Sequence, residues 1–310
     1  MRVTFEEKTY ENYFNLELGQ RSDIYFPLGQ VQEGDLGFDA SAYSIDTKMW
    51  SIMGCSSSDY SGSRLRNIAE IMEKYLNKKI NDLPKMKANI LFQYKRPEYF
   101  TNSRASEWHY WNTPYYRYNI YKEQQELLME IHNNLGSKVL AIYASPALHK
   151  VDELVDRYIK KQIIKYSNFK RVVDLNNHHR NTYTKSGNYS IACSEPEYIE
   201  NHDINQLIDE LDDDNLEDQE NRDFVIKFRK GIEIITLENK IYSEAFSLLN
   251  EKYRHLKEYE LLYSFFVMRN FRQLTGSQWL VKMEFGKRWN EYEEHNYYLY
   301  WLLNRQEEAL

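Results

Sequence analysis

The stretch that decides the fold reads Ala88-Asn-Ile-Leu-Phe-Gln-Tyr-Lys95 and is followed closely by Pro97. Its apolar and aromatic residues are typical of a β-strand, and proline ends it because proline cannot continue a hydrogen-bonded ladder. Side chains on a strand alternate between its two faces. We therefore expect Gln93 and Lys95 on one face of this strand, with Phe92 on the other.

Regular elements are predicted on both sides of this strand. They are helices over residues 6–18, 63–80 and 122–135 and strands over residues 36–43 and 139–144, with Gly19 and Gly136 closing the first and third helices. The strand at 139–144 is apolar on both faces, which fits the middle of a sheet. The helix before it is placed to serve as a crossover, so we predict an α/β fold with a mixed sheet flanked by helices.

The sequence of the second half of the chain predicts a larger share of helix than that of the first half. The predicted elements are a basic helix over 150–166, a strand at 171–175, a hairpin of residues 224–229 and 232–236 about Lys230-Gly231, and helices within 239–272 and 288–308. The aromatic stretch 108–121 is expected to be irregular or a short hairpin. We thus predict a core over residues 1–150 and a mixed, largely helical region over residues 151–310.

Charge is unevenly spread along the chain. Between Glu195 and Asp223 there are thirteen carboxylates and one base, a local net charge of −12 within a total of −7, so the remainder carries +5. This acidic segment, residues 195–223, is predicted to be a solvated helix or linker. The mildly basic remainder permits nucleic-acid binding without requiring it.

Several functional classes are disfavoured by the composition. No secretory signal and no apolar run long enough for a membrane helix is found, and no Gly-x-x-x-x-Gly-Lys phosphate loop occurs. Cys55 and Cys193 lack the spacing of metal ligands, which favours a reduced, cytoplasmic setting.

A set of polar residues around the deciding strand suits phosphodiester hydrolysis. That reaction uses a divalent cation held by oxygen ligands, together with a lysine that orients or deprotonates water and offsets charge at phosphorus. The candidates are Glu17, Glu33, Asp39, Gln93 and Lys95. Asp39 follows a Gly-Phe pair, and its glycine allows a close backbone approach.

With Gly37-Phe-Asp39 on one strand and Gln93-Tyr-Lys95 on the next, the chain resembles the PD-(D/E)XK nuclease superfamily over about residues 6–146. It is most similar to the Gln-x-Lys branch, which includes Mrr-like restriction enzymes and relatives of archaeal Holliday-junction resolvases. The resemblance implies a restriction-endonuclease-like core, Mg²⁺- or Mn²⁺-dependent cleavage of DNA, and a role in bacterial restriction or antiviral defence.

The resemblance also implies a role for each candidate residue. Asp39 becomes the principal metal ligand, Gln93 a ligand through its carbonyl, and Lys95 the catalytic lysine. Glu17 becomes a supplementary acid, preferred to the other glutamates of its helix. Glu33 is a further candidate metal ligand from the residue pattern, with a loop residue as the alternative interpretation. Gln124 and Gln125 match a position that sometimes faces the site in this superfamily.

Other interpretations remain open. Gln is a weaker metal ligand than Glu, so the chain could be a non-catalytic nucleic-acid-binding or assembly subunit of a defence complex. It could also be a partner-dependent effector whose acidic segment blocks a basic site, and either a partner protein or a homodimer is compatible with the sequence. Three further groups of residues could either bind a ligand or have only a structural role. The pair His178 and His179 could be ligands or surface residues. The aromatic residues could stack on bases or belong to the core or a partner surface, and the basic segment could contact phosphates or be a solvated helix face; these are Trp108, Trp111, Tyr115 and Tyr116, and residues 159–171.

Overall fold

The computed structural model describes residues 3–21, 23–27, 65–187, 189–211 and 219–284. The predicted strand at 36–43 and the predicted helix at 288–308 lie outside these residues, as do Asp39 and Glu33. The described helices are α1 (Glu7–Leu18), α2 (Leu65–Asp82), α3 (Trp108–Trp111), α4 (Lys122–Leu135), α5 (Val151–Ile159), α6 (Ile204–Asp209), α7 (Asn221–Glu238), α8 (Ser243–Glu251) and α9 (Glu260–Thr275). The described strands are β1 (Ile24–Tyr25), β2 (Met86–Tyr94), β3 (Glu98–Phe100), β4 (Tyr115–Asn119), β5 (Val139–Pro146), β6 (Ser167–Arg171), β7 (Arg180–Tyr183), β8 (Tyr189–Cys193), β9 (Glu197–Glu200) and β10 (Ser277–Met283).

The first sheet is mixed and has the strand order β1-β10-β2-β5-β6. β2 and β5 run parallel, joined through α4, while β10 and β6 pair antiparallel with β2 and β5. The predicted α/β class, the interior position of β5 and the crossover helix are therefore confirmed. β2 is paired along both edges, with Gln93 opposite Ser277 on β10 and Tyr143 on β5.

Each face of the first sheet is covered by its own hydrophobic cluster. Phe92 and Tyr94 of β2 pack against Phe14 of α1, with ring centroids 5.3 and 5.5 Å apart. Leu91 points to the other face and belongs to the cluster that includes residues of α2, α4, α7 and α9. The alternation expected for a strand thus buries both sides of β2.

A second sheet, not foreseen in the sequence, is entirely antiparallel and has the order β3-β4-β7-β8-β9. Its inner face carries Tyr118 and Tyr183, which are buried in the same cluster as Tyr143 of β5. The aromatic stretch at 108–121 therefore forms the short helix α3 and strand β4. This sheet contributes an aromatic layer to the core.

The predicted hairpin about Lys230-Gly231 is wrong. Residues 221–238 form one helix, α7, whose Phe228, Ile232 and Ile235 recur at helical spacing and are buried. Gly231 marks a close approach rather than a turn, because a Cβ built there would lie 2.8 Å from a methyl group of Leu135 on α4. The hairpin was predicted because glycine is common in turns, but here the glycine lies within a helical pattern of buried residues.

Smaller differences concern element boundaries. The strand predicted at 171–175 is displaced, since β6 ends at Arg171 and Val172–Leu175 form a 3₁₀ turn. The helix predicted over 150–166 is shorter, with α5 ending at Ile159. The acidic segment contains β9 and α6 in its described part, instead of a single solvated helix or linker.

The first sheet takes strands from both sides of residue 150, since β10 inserts between β1 and β2. The division into regions 1–150 and 151–310 stays a prediction. Within the described ranges, no helix combines the length and the apolar character that crossing a membrane requires.

Candidate functional site

Gln93 and Lys95 lie at the carboxyl end of β2, on the sheet face that α4 covers. Lys95 follows the last strand residue, and its backbone N–H still bonds to the carbonyl of Ala144 on β5. Both side chains are buried, with 3 % and 6 % of their surface exposed. The structure thus brings these two predicted site residues together.

Lys95 is held by groups that leave its ammonium poorly solvated. Its Nζ donates to Oε1 of Gln124 at 2.7 Å and lies 4.9 Å from the ring centre of Tyr121 and 5.6 Å from that of Tyr143. Burial lowers the pKa of Lys95 to about 8, and the carboxylate of Glu7 acts in the opposite direction. A lysine in this state exchanges its proton near neutral pH, as general acids and bases do.

Gln93 is positioned by the connection between α9 and β10. Its Oε1 accepts a hydrogen bond of 2.9 Å from the Ser277 hydroxyl. Gly276 makes the turn with φ of 73°, and a Cβ at that position would approach the Gln93 amide nitrogen to 3.4 Å. The same connection holds Gln124, whose amide donates to the backbone carbonyl of Thr275. Residues 275–277 therefore link the two glutamines around Lys95.

Sequence reasoning missed this connection. A signal was present in Gly276, which follows a helical pattern and precedes an apolar strand pattern, as a helix C-terminus requires. Nothing local, however, indicates that Ser277 reaches Gln93, because the two are 184 positions apart in the chain.

The structure does not bring Glu17 to Lys95. Glu17 accepts hydrogen bonds from the backbone N–H groups of Ile163 and Ile164, at 2.6 and 3.3 Å. Its helix packs on the opposite face of the sheet, through residues such as Phe14. Glu17 therefore caps the turn after α5, and its role as a supplementary acid stays a prediction without local support.

Glu7 is the carboxylate of α1 whose charge acts on Lys95. It lies at the start of the helix, and its Oε2 accepts a hydrogen bond of 3.1 Å from the backbone N–H of Arg96, the residue after Lys95. Its side chain remains exposed to solvent. The helix therefore approaches the site with its amino-terminal end, which is the end that the sequence interpretation set aside.

The two glutamines of α4 have different roles. Gln124 contacts Lys95 directly, whereas Gln125 accepts from the Tyr143 hydroxyl at 2.7 Å and donates to the backbone carbonyl of Val172. Only Gln124 therefore adjoins the amine of Lys95.

The donor atoms of the described site fit a divalent cation only in part. Gln93 offers a carbonyl oxygen and Glu7 a carboxylate, both of the oxygen type that Mg²⁺ prefers. Within the described ranges, no group of three or more His, Cys, Asp or Glu side chains is arranged to hold a metal ion. Further carboxylates would have to come from Asp39 and Glu33, which lie outside the described residues.

The other candidates are placed in structural contacts. His178 pairs with Glu197 at 3.3 Å, and Nδ1 of His179 lies 2.5 Å from the Ser194 hydroxyl. The two histidines therefore contact different residues rather than a common partner.

The aromatic and basic candidates also divide between core and surface. Tyr115 and Tyr116 are buried, and in the basic segment Lys170 is fully buried and bonds to backbone carbonyls of β9. Trp108 and Trp111 are half-buried in α3, and Trp111 lies at the surface of the second sheet.

Comparison of the chain with protein-family models, with curated proteins and with solved structures found no match.

Proposed function

We propose that the chain is a metal-dependent nuclease, a hydrolase that cleaves phosphodiester bonds in DNA, with Lys95 at the centre of its site. The observation that carries the proposal is the state of this lysine. Its amine is buried, has a lowered pKa and shares a sheet face with the Gln93 amide at the carboxyl end of a strand. Perturbed lysines of this kind are concentrated at functional sites.

Each described residue has a definite task in this proposal. Neutral Lys95 accepts a proton from the attacking water, and charged Lys95 offsets the negative charge that develops at phosphorus. Gln124 fixes the amine by its hydrogen bond. Tyr121, with 62 % of its surface exposed, covers the amine, so its side chain has to move when a phosphate enters.

The metal ligands proposed are Asp39 and Glu33 together with the Gln93 carbonyl, and Glu7 is a more suitable supplementary acid than Glu17. A bound Mg²⁺ or Mn²⁺ would supply stabilisation of charge on the scissile phosphate. The proposed setting is the cytoplasm, in restriction or antiviral defence.

A cleavage assay tests the proposal. Supercoiled plasmid and single-stranded DNA are incubated with Mg²⁺, Mn²⁺ or EDTA and with wild type, Asp39→Asn or Lys95→Met. The matched control is Lys252→Ala, which removes an exposed lysine at the end of α8. We expect metal-dependent cutting by wild type and control and at least a hundredfold loss in the other two variants, on the order of a lost acid–base group. Cutting that survives both substitutions would exclude this site.

A second candidate is a non-catalytic DNA-binding or assembly subunit. It is favoured by the hydrogen bond that the Gln93 carbonyl oxygen accepts from the Ser277 hydroxyl, which occupies the proposed metal-ligand atom. This alternative predicts DNA binding that is equal with Mg²⁺ and with EDTA, and no cleavage. Binding in a gel-shift assay that requires the metal would argue against it.

A further inference from the structure

Three aromatic rings form a continuous row on the outer face of the second sheet. Trp111 of α3 stacks on Tyr189 of β8 with ring centroids 5.4 Å apart and planes at 19°. Tyr189 in turn contacts Tyr198 of β9, also at 5.4 Å. We call these three residues the aromatic row. Tyr198 is 69 % exposed and Tyr189 42 % exposed, so the row is open to a partner.

The row is held in place by the protein. The indole N–H of Trp111 donates to the Thr182 hydroxyl at 3.1 Å, which fixes the ring over the sheet. Tyr189 and Tyr198 project from adjacent antiparallel strands, and β9 is the edge strand of its sheet. Aromatic side chains fixed in this way can bind a ligand with little loss of conformational entropy.

An acidic side chain accompanies the row. Glu200 lies directly across from Tyr189 in the strand pairing and is two residues beyond Tyr198, so the three share one face. Glu200 is exposed, and its carboxylate interacts electrostatically with the ammonium of Lys170. Lys170 lies close by but bonds to the backbone carbonyls of Ile199 and Glu200.

The arginines of the same sheet do not offer free positive charge. Arg117 pairs with Glu98 and Glu107, at 2.7 and 3.2 Å, and Arg180 pairs with Glu107 at 2.6 Å. Tyr198 and Glu200 themselves belong to the acidic segment, residues 195–223, whose net charge in the sequence is −12. This face therefore combines aromatic rings with negative charge, which disfavours a nucleic acid.

We propose that the aromatic row and Glu200 bind a cationic peptide segment of a partner protein. An arginine or lysine side chain stacks on the exposed tyrosines through cation–π contact, and Glu200 neutralises its charge. The exposed carboxylates of Glu195 and Glu197, which precede Tyr198, add negative charge that attracts such a peptide. This surface is separate from Lys95 and does not depend on nuclease activity.

Fluorescence anisotropy with the full-length protein tests the proposal. The labelled probes are an eight-residue Arg-Gly repeat peptide, a Glu-Gly peptide of the same length and an oligo-dT of twelve nucleotides. The protein is compared with Tyr198→Leu, which keeps apolar bulk but removes the ring, and with Glu200→Gln. Glu126→Gln, which neutralises a carboxylate on α4 that is 54 % exposed, is the matched control.

We expect the Arg-Gly peptide to bind wild type and control equally, and more tightly than either other probe. Tyr198→Leu and Glu200→Gln should each raise its Kd by about two- to fivefold, the effect of losing one exposed cation–π contact or one exposed charge pair. Equal Kd values for all variants would overturn the proposal, because the acidic segment alone would then attract the peptide. Preference for oligo-dT, or no binding of the Arg-Gly peptide, would overturn it as well.

Discussion

Replacing Lys95 by methionine tests whether the candidate site reduces the stability of the fold. Burial lowers the pKa of Lys95 from 10.5 to about 8, with Glu7 acting in the opposite direction. One pKa unit corresponds to about 1.4 kcal/mol. Charged Lys95 therefore lowers the free energy of unfolding by about 3 kcal/mol below pH 8.

This cost depends on pH in a definite direction. Between pH 8 and 10.5 the unfolded chain binds more protons at Lys95 than the folded protein does, so stability rises with pH in that window. The cost falls to about 1 kcal/mol at pH 10. Wild type should thus gain about 2 kcal/mol relative to Lys95→Met between pH 7 and pH 10.

Methionine also removes a contact. Gln124 loses the donor that its Oε1 accepts from at 2.7 Å, a loss of about 1 to 3 kcal/mol for a buried group. At pH 7 this loss and the relief of the buried charge offset each other, so we expect the variant to be as stable as wild type to within about 2 kcal/mol.

Urea unfolding followed by circular dichroism at pH 7, 8.5 and 10 measures the difference. Lys170, whose pKa burial also lowers, is present in both proteins, so its contribution cancels. Lys252→Ala serves as the control and should differ from wild type by the same amount at every pH. A difference between wild type and Lys95→Met that is constant within about 0.5 kcal/mol would refute the reasoning.

Three further substitutions probe the framework by urea unfolding. Asn221→Ala removes a buried amide that accepts from one backbone N–H and donates to backbone carbonyls near β2, so we expect a loss of about 2 to 4 kcal/mol, and a loss below 0.5 would contradict it. Glu107→Ala leaves two arginines without their buried partner and should cost about 3 kcal/mol, whereas an unchanged midpoint would show that water replaces the carboxylate. Gly231→Ile forces a branched side chain against Leu135 and should cost about 1 to 3 kcal/mol, while a stabilised variant would mean that the helices separate without strain.

The part of the fold that the sequence predicts is the part specified by continuous local patterns. The strand at 88–95, the helix at 122–135 and the strand at 139–144 each carry an uninterrupted pattern with a clear end signal, and each is found. β10 was not predicted because its pairing with β2 joins residues nearly two hundred positions apart. The second sheet escaped prediction because its strands have three to five residues and are rich in Tyr and polar residues.

In the site, too, the local features could be predicted from the sequence and the long-range contacts could not. Gln93 and Lys95 could be predicted as neighbours because strand alternation is a local rule. The choice between Glu7 and Glu17 could not, since it depends on which end of α1 meets the carboxyl end of β2. Glu17 is the glutamate predicted for the site, but the packing of Phe14 against Phe92 leaves the start of the helix next to Arg96.

The paired edges of β2 constrain how any further metal ligand can reach Gln93. β10 and β5 occupy both hydrogen-bonding edges of β2, so neither edge beside Gln93 is open to a further strand. The described residues before position 28 include β1, at the edge of the first sheet, and the next described element is α2. The buried residues of α2 belong to the cluster on the face that bears Lys95. An additional metal ligand at the proposed site therefore has to reach Gln93 across the face that bears Lys95 or past the carboxyl end of β2. If Asp39→Asn loses metal binding but keeps the pH dependence of stability, then metal binding depends on Asp39 while the lowered pKa of Lys95 does not.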